Sequence, residues 1–314
     1  MFDAEKLWRD FPKTLPEFEE AFPDDDACRE FLIRIRWGDR PRCGRCGEEQ
    51  MWGLKNGLFE CSRCGYQTSV TAGTPLHGTR KPLKLWFRAM WEMVARRNGI
   101  SAKDLQRILG LGSYETAWVW MHKLRRCMIR ADREPLDGKV DIDDGYVGGK
   151  SHRRGRGTDK AAVVVAAEHH GRIRMEHSPD LNGKCISSFA QRNLSTTTHV
   201  ITDGFVIYGP GSLSPRTVEH QQQKALLRKG IDPMQRCHWP ISLLKRWWIG
   251  THHGAISNKH LQAYIDEHEF RYNRRMTHGP GRLVARLLQN LVSIPQLTMG
   301  QIVHGTPSLR FVQT

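Results

Sequence analysis

The sequence predicts a multidomain α/β chain, and three observations lead to this fold class. Two Cys-x2-Cys pairs stand between residues 43 and 64, apolar residues recur at helical spacing over residues 78–132, and the alternation typical of strands begins at residue 139. With 314 residues, the chain is long enough for two or three domains with sizeable cores. The predicted order is a helical and cysteine-rich region, an all-helical segment and an α/β region.

The composition indicates a polyanionic partner. The chain has 48 Lys and Arg against 33 Asp and Glu, a formal net charge of +15 and an isoelectric point near 9.7. Nucleic acid is favoured over a membrane, because no apolar run approaches the roughly 20 residues that a spanning helix needs. The N-terminal sequence MFDAEKLWRDF lacks the basic and apolar regions of a signal peptide, so a cytoplasmic protein with reduced cysteines is expected.

Four of the eight cysteines have the spacing of a structural zinc site. The two pairs are separated by 14 residues and consist of Cys43, Cys46, Cys61 and Cys64. Two such knuckles close a tetrahedral thiolate site around one Zn2+, whereas a redox pair would need only one knuckle. We expect the metal to contribute to the stability of this small ribbon. Before it, residues 24–36 are predicted as an amphipathic helix with an acidic first turn.

The all-helical segment is predicted to have a helix-turn-helix-like arrangement. Its helices are expected at about residues 82–97, from Ser101 to Gly110, and at about residues 113–129. Basic side chains on the third helix are candidates for contact with DNA, namely Lys123, Arg125 and Arg126. Many three-helix packings share this pattern, so packing without DNA contact is the alternative.

The stretch KVDIDDGYVGGK, residues 139–150, is predicted as the first strand of the α/β region. Val140 and Ile142 alternate with Asp141 and Asp143, which gives one apolar face and one carboxylate face. Close like charges are costly on a strand, so a metal ion or neighbouring Lys and Arg should offset them. A solvated edge strand is the simpler alternative for this segment.

The residues after this strand continue the α/β pattern. A basic turn at residues 151–160 offers Arg153 and Arg154 to a DNA backbone, or is merely a solvated loop. Three further strands and one helix are predicted, at residues 161–167, 172–177, 198–202 and, for the helix, 184–192. The last of these strands ends in Asp203. Further on, Pro240 is predicted in the first turn of a helix, and a second helix follows the break after Gly250.

These motifs resemble bacterial insertion-sequence transposases of the zinc-ribbon kind, the ISXO-type branch related to Merlin elements. The resemblance spans about residues 15–285 and rests on the paired Cys-x2-Cys and on GTPLHGTRKPLKLWFRAM, VDIDDGYVGG, ITDGFVIY and SLLKRWWIGTHHGAISNKHLQAYIDEHEFRYNRR. It implies metal-dependent DNA cleavage and strand transfer in a ribonuclease-H-like domain. The implied partners are terminal inverted repeats, target DNA and further copies of the chain in a homodimer or higher oligomer, at the bacterial nucleoid.

The predicted domain boundaries follow from these motifs. They are a helical segment at 1–38, the zinc ribbon at 39–72, the helix-turn-helix-like segment at 78–132, the catalytic domain at 137–285 and a C-terminal tail at 286–314. The tail has no functional interpretation.

The resemblance also implies a set of catalytic residues. Asp143 matches the first metal-binding carboxylate and Asp203 the second, while the third metal position, four residues before the Ser of SLLKR, is His238. These residues would hold two Mg2+ or Mn2+ ions. Lys245 matches the lysine of the same motif and would contact DNA phosphate or offset charge in the transition state. Histidine departs from the pattern of three carboxylates; its place near a helix N-terminus is expected to keep it neutral, as a ligand must be.

Several other polar residues have open alternatives. Asp141 and Asp144 are interpreted as supporting or surface acids. Rival third acids lie on a later helix, where pairing with an arginine four residues on would explain them: Asp266, Glu267 and Glu269. His252 and His253 fit a turn or phosphate contacts better than a second metal site, and Arg246 joins the predicted DNA contacts.

Two further function classes compete with a transposase. One is a DNA-binding regulator whose ribonuclease-H-like domain is inert, and the other is a repair nuclease. The joint presence of Asp143, Asp203 and Lys245 favours an active enzyme, because an inert descendant would be free to lose them. A repair nuclease would not explain the C-terminal string that begins SLLKR.

Overall fold

The computed structural model describes residues 8–305 except residues 39, 131, 150–157, 170, 222 and 255. These residues divide into two compact units. The first consists of the described residues up to 130 together with residues 277–305, and the second of those from 132 to 276. Residues 277–285, predicted within the catalytic domain, and the described part of the predicted tail thus belong to the first unit.

The described elements are as follows in chain order. The first unit begins with α1 (Leu15–Ala21), α2 (Asp25–Trp37), β1 (Met51–Gly53), β2 (Phe59–Cys61), β3 (Gln67–Thr68), α3 (Leu83–Ala95), α4 (Ala102–Leu109) and α5 (Tyr114–Arg126). The second unit has β4 (Lys139–Val147), β5 (Ala161–Glu168), β6 (Ile173–Ser178), α6 (Gly183–Asn193), β7 (His199–Thr202), a 3-10 helix (Val206–Tyr208), α7 (Pro210–Leu213), β8 (Thr217–His220), α8 (Gln223–Arg228), α9 (Gln235–His252) and α10 (Leu261–Asn273). The chain then returns to the first unit with α11 (Pro280–Leu291) and α12 (Met299–His304).

Aromatic packing holds the helices of the first unit together. The ring of Phe22 lies 4.9 Å from that of Phe18 and 4.9 Å from that of Phe87, which connects α1 and its C-terminal end to α3. Trp86 of α3 stacks on Trp120 of α5 at 3.7 Å. Burial of such large rings is a strong contribution to stability. The three predicted helices of this segment are confirmed as α3, α4 and α5.

The second unit contains a five-stranded sheet in the order β6-β5-β4-β7-β8. Strands β4, β5 and β6 are antiparallel neighbours, whereas β7 and β8 run parallel to β4. The prediction of strands at β4 to β7 is confirmed, and β8 was missed. The alternative of a solvated edge strand at residues 139–150 is wrong, since β4 is central and has β5 on one side and β7 on the other.

Both faces of this sheet are covered. One core cluster joins Val147 and residues of β5 and β6 to α9 and α10, and the other joins Val140 and Ile142 to α6, the 3-10 helix and α7. Helix α9 lies very close to β4 at Gly145. A Cβ atom at this position would stand only 2.7 Å from Cδ1 of Ile241. The alternation of β4 therefore sends Asp141 and Asp143 towards α9.

Helix α9 begins earlier than the sequence predicts. Its first residue is Gln235, so Pro240 is the sixth residue of the helix instead of a first-turn residue. Backbone N–H groups of Cys237 and His238 both donate to the carbonyl of Met234, each at 2.9 Å, which closes the first turn. As a consequence, His238 and Lys245 lie on one continuous helix, two turns apart and on the same side.

Helix α10 covers the edge strand β6 with polar side chains. Backbone N–H groups of Ile173, Met175 and His177 donate to Asn273 at 2.7 Å, to Glu269 at 2.9 Å and to Gln262 at 2.8 Å. An uncovered edge strand can pair with a strand of another chain. These contacts occupy N–H groups of β6 and so hinder such pairing. They also give Glu269 a structural role.

Candidate active site

Asp143 lies in the middle of the central strand and is 5% exposed. Its Oδ2 stands 2.9 Å from Nε2 of His238, and its Oδ1 accepts the backbone N–H of Asp144 at 2.8 Å. Burial raises the pKa of the Asp143 carboxyl, while the hydrogen bond from His238 opposes this shift. The side chain is thus a buried carboxylate whose charge depends on a cationic neighbour.

His238 stands between two carboxylates. Its Nε2 faces Asp143, and its Nδ1 lies 2.7 Å from Oδ2 of Asp232. The hydrogen bond to Asp143 raises the pKa of His238 to about 9; burial opposes this, and Asp232 adds to it. These two adjacent carboxylates favour the protonated imidazole and so oppose the expected effect of the helix N-terminus, which favours the neutral ring. A metal bound at Nε2 would take the place of that proton.

Asp203 follows the last residue of β7. The parallel register pairs Asp141 with Ile201, one residue before β7 ends at Thr202, so Asp203 follows the end of the strand next to β4. Its Oδ1 accepts the backbone N–H of Phe205 at 3.0 Å. Burial and the carboxylates of Asp144, Asp143 and Asp203 raise the pKa of the Tyr208 hydroxyl well above its ordinary value, which places that phenol in the field of all three acids.

The geometry of Asp143 and His238 fits one divalent ion. Two adjacent ligands of an octahedral ion with bonds of about 2.1 Å stand about 3.0 Å apart. The separation of 2.9 Å between Asp143 Oδ2 and His238 Nε2 matches this distance. Among the described residues, only the cysteine cluster brings three or more ligand groups within 4.8 Å of one another, so Asp203 is not in so compact a group with these two.

Lys245 is exposed on α9, two turns after His238. Partial burial and the charge of Lys160 lower the pKa of its ammonium group. The condition that the helix reaches back to His238 is met, so both side chains extend from one flank of α9. Lys160 is a further cation near this flank that the sequence did not single out.

The two other aspartates of β4 are held by protein groups. Asp141 is 1% exposed; His169 Nε2 lies 2.8 Å from its Oδ1, and Arg236 contacts its other oxygen at 3.5 Å. Asp144 accepts the hydroxyl proton of Tyr208 at 2.9 Å. Asp141 is therefore a buried acid with its own partners, not a surface acid. No sequence pattern indicated His169 or Tyr208, because both contact the strand from distant segments of the chain.

The rival acids and the histidine pair have structural contacts. Glu267 accepts a hydrogen bond from Arg271 at 3.0 Å, as the predicted pairing on one helix requires. His252 packs against the rings of Trp247 and Tyr264 at 4.7 and 4.9 Å. His253 adopts a left-handed conformation, φ 50°, at the end of α9, which agrees with a turn.

The four cysteines of the ribbon converge. Sulfur atoms of Cys43 and Cys64 are 3.7 Å apart, those of Cys46 and Cys61 are 3.5 Å apart, and all four lie within 4.8 Å of one another. A tetrahedral Zn2+ with Zn–S bonds of about 2.3 Å would separate its ligands by about 3.8 Å, so the cluster fits zinc. Burial opposes ionisation of Cys43, but backbone N–H groups of Arg45 and Cys46 stabilise the thiolate and lower its pKa to about 6.

The predicted DNA contacts differ in accessibility. Arg125 is 1% exposed, so its prediction as a DNA contact is wrong: the side chain is inside the first unit. Lys123 is partly buried with its ammonium group 6.0 Å from the ring of Trp86, Arg126 is partly exposed and Arg246 is exposed. Arg153 and Arg154 lie outside the described residues.

Comparison with protein families agrees with these geometries. Residues 135–273 match the model of the ISXO2-like transposase domain, and residues 23–67 match the model of the transposase zinc-ribbon domain. The chain belongs to the ISXO2-like transposases. The search of curated proteins found no match.

The transposase domain contains all four predicted catalytic residues, and the zinc-ribbon domain contains all four cysteines. The match to the zinc-ribbon family begins at residue 23, just before α2, and thus includes this helix as well as the four cysteines of the ribbon. This ISXO2-like transposase has no helix, in the part of the chain that the structure describes, long and apolar enough to cross a membrane.

Proposed function

We propose that this transposase binds the terminal inverted repeats of a bacterial insertion sequence and catalyses metal-dependent DNA cleavage and strand transfer. The observation that carries the proposal is the 2.9 Å contact of Asp143 with His238, on the strand next to β7, whose end is followed directly by Asp203. The strand order, with three antiparallel strands followed by two parallel ones, supports a ribonuclease-H-like catalytic domain. The activity would take place in the bacterial cytoplasm, on nucleoid DNA.

Each residue of the site has a distinct role in this proposal. Asp143 and His238 hold one ion, and Asp203 contributes to a second one. Bound Mg2+ or Mn2+ activates the attacking oxygen and stabilises the leaving oxygen of an in-line displacement at phosphorus. Lys245, exposed on the same flank as His238, contacts the phosphate next to the reacting one and offsets the charge that develops there.

DNA would be bound by both units. The net charge of +15 favours a polyanion, and accessible cations are available at Lys123, Arg126 and Arg246. The ribbon, which would hold one structural Zn2+, adds exposed Trp52 to the surface on which DNA is expected. Two ends must be paired for transposition, so a homodimer or higher oligomer on DNA is part of the proposal.

The test is strand transfer of short duplexes that carry the element's own terminal repeats, with Mg2+ and with Mn2+. We expect joining by the wild type, loss of joining in Asp143→Ala, and loss in His238→Ala, with end binding retained in both variants. Asp180→Asn, an exposed acid of the same unit, is the matched control and should join normally. Loss of joining and end binding together in Asp143→Ala would contradict the role of Asp143 in a metal site.

A DNA-binding regulator is the second candidate. It is favoured by one observation, namely that a histidine, His238, stands where the resemblance implies a third carboxylate. Tight end binding without joining, in Mg2+ and in Mn2+, would support this candidate and exclude the enzyme.

A further inference from the structure

Asp232 lies directly behind the histidine at the third metal position. Its Oδ2 stands 2.7 Å from Nδ1 of His238, the ring nitrogen that points away from Asp143. Its Oδ1 accepts the backbone N–H of Met234 at 3.0 Å, just before α9 begins. Both carboxylate oxygens are therefore engaged, and the three residues Asp143, His238 and Asp232 form a continuous chain of contacts.

This arrangement determines which ring nitrogen faces the metal position. A carboxylate only accepts hydrogen bonds, so Nδ1 of His238 must carry a proton to bond with Asp232. Nε2 is then the nitrogen that can exchange its proton for a metal ion, and the ring orientation is fixed by a residue just before α9. Carboxylates behind metal-bound histidines generally act in this way and also increase the electron density of the ring.

Asp232 and His238 together carry the charge of the single carboxylate that is expected at the third metal position. A neutral imidazole alone would leave the metal site one negative charge short of a set of three carboxylates. Neutral His238 hydrogen-bonded to the Asp232 carboxylate carries a net charge of −1, as a carboxylate ligand would. We propose that Asp232 is a positioning residue which, together with His238, replaces the third carboxylate of the metal site. This inference rests on the proposed function for the identity of the site.

A purely structural role for Asp232 predicts something different. If the side chain only stabilises the start of α9 by accepting the backbone N–H of Met234, any acceptor at position 232 would serve. The effect of substituting Asp232 would then not depend on the residue at position 238. Asp232→Asn separates the two roles, because its amide has a single acceptor oxygen for two donors, the N–H of Met234 and the Nδ1–H of His238. If that oxygen keeps the helix contact, the amide NH2 faces Nδ1, which then becomes the acceptor, and the ring proton moves to Nε2, where a metal would bind.

The experiment measures Mn2+ binding to the zinc-loaded full chain by electron paramagnetic resonance, without DNA. The variants are Asp232→Asn, His238→Glu and the combination of both, with Asp180→Asn as the control for an exposed acid of the same unit. Urea unfolding of each variant verifies the fold. We expect Asp232→Asn to weaken Mn2+ binding by about 10- to 100-fold and Asp180→Asn to leave it unchanged.

The decisive result is whether the loss of Mn2+ affinity caused by Asp232→Asn depends on the residue at position 238. In the His238→Glu background a carboxylate is already present at the third position, so we expect Asp232→Asn to cause no further loss of Mn2+ affinity. An equal loss in both backgrounds, or wild-type Mn2+ affinity in Asp232→Asn, would overturn the inference. If Mn2+ binding behaves as expected but the wild type joins no DNA, the proposed function fails while the role of Asp232 stands.

Discussion

The contact between Gly145 and Ile241 predicts how a single methyl group would impair the site. In Gly145→Ala the new Cβ would stand 2.7 Å from Cδ1, 2.9 Å from Cγ2 and 3.3 Å from Cγ1 of Ile241. Contacts below 3.0 Å do not persist, and ordinary contact begins near 3.4 Å. Ile241 cannot rotate away freely, because its branched Cβ restricts χ1. Helix α9 must therefore move from β4 by about 0.7 Å, the difference between 3.4 and 2.7 Å.

This displacement acts on stability and on the metal site at once. Overpacking of a well-packed core costs about 1–3 kcal/mol. His238 lies one turn before Ile241 on the helix that moves, whereas Asp143 remains on the strand, so their separation of 2.9 Å would increase away from the about 3.0 Å that suits two adjacent ligands of one octahedral ion. A misplacement approaching 1 Å costs up to about 100-fold in rate, and we expect strand transfer to fall by about 10- to 100-fold.

The assays are urea unfolding and joining of terminal-repeat duplexes. Gly250→Ala is the matched control: it lies on the same helix, and a Cβ there meets nothing within 4 Å. It should be neutral or slightly stabilising through helix propensity. Ile241→Val removes the closest atom, so in the Gly145→Ala background it should restore part of both losses. Wild-type stability and joining in Gly145→Ala would refute the reasoning.

Three further predictions concern other parts of the molecule. Cys46→Ser should reduce bound zinc below one ion per chain, measured by elemental analysis, and unchanged zinc would contradict the four-thiolate site. Burial lowers the pKa of His268 from an ordinary 6.5 to about 4, so between these pH values the unfolded chain binds more protons than the folded one. The free energy of unfolding should therefore fall by up to about 3 kcal/mol as the pH drops from 6.5 to 4. Urea unfolding of His268→Gln should lack this part of the pH dependence. Glu269→Ala removes the buried carboxylate that pairs with Arg133 and Arg174 and should cost about 3–5 kcal/mol in urea unfolding. Glu134→Gln, at an exposed ion pair, should change stability by less than about 0.5 kcal/mol.

The sequence predicted the parts of the fold that rest on local patterns. Cysteine spacing predicted the ribbon, the cap at Ser101 predicted the start of α4, and a continuous apolar run predicted β5. Strand β8 was missed because it is four residues long and mostly exposed, so it has no apolar period to detect. The start of α9 was misplaced because proline was assigned to a first turn, whereas the turn is closed by Met234 and Asp232.

Arg125 shows that the charge of a residue can lead to a wrong prediction where the helical spacing indicates burial correctly. Met121 and Met128 are both buried, and residue 125 is four positions after one and three before the other, so it lies on the same side as both. Its positive charge suggested DNA instead. For Asp232 the sequence offered no comparable pattern: its role depends on the return of the chain to His238 six residues later and on the proximity of β4, which only the tertiary structure supplies.

The three aspartates of β4 are tolerated because each has its own hydrogen-bond partner. Alternation directs Asp141 and Asp143 towards α9 and Asp144 to the opposite face, where the Tyr208 hydroxyl bonds to it. Each carboxylate therefore has a separate donor, and the expected compensating charges come from the chain itself. The two acids on the α9 face differ in what their partners expose. The side chain of His169, which holds Asp141, is 27% exposed, whereas that of His238, which holds Asp143, is 38% exposed. Asp143 itself is 5% exposed against 1% for Asp141, and both oxygens of Asp141 already contact His169 and Arg236, so we expect Asp143 to be the acid that meets an ion.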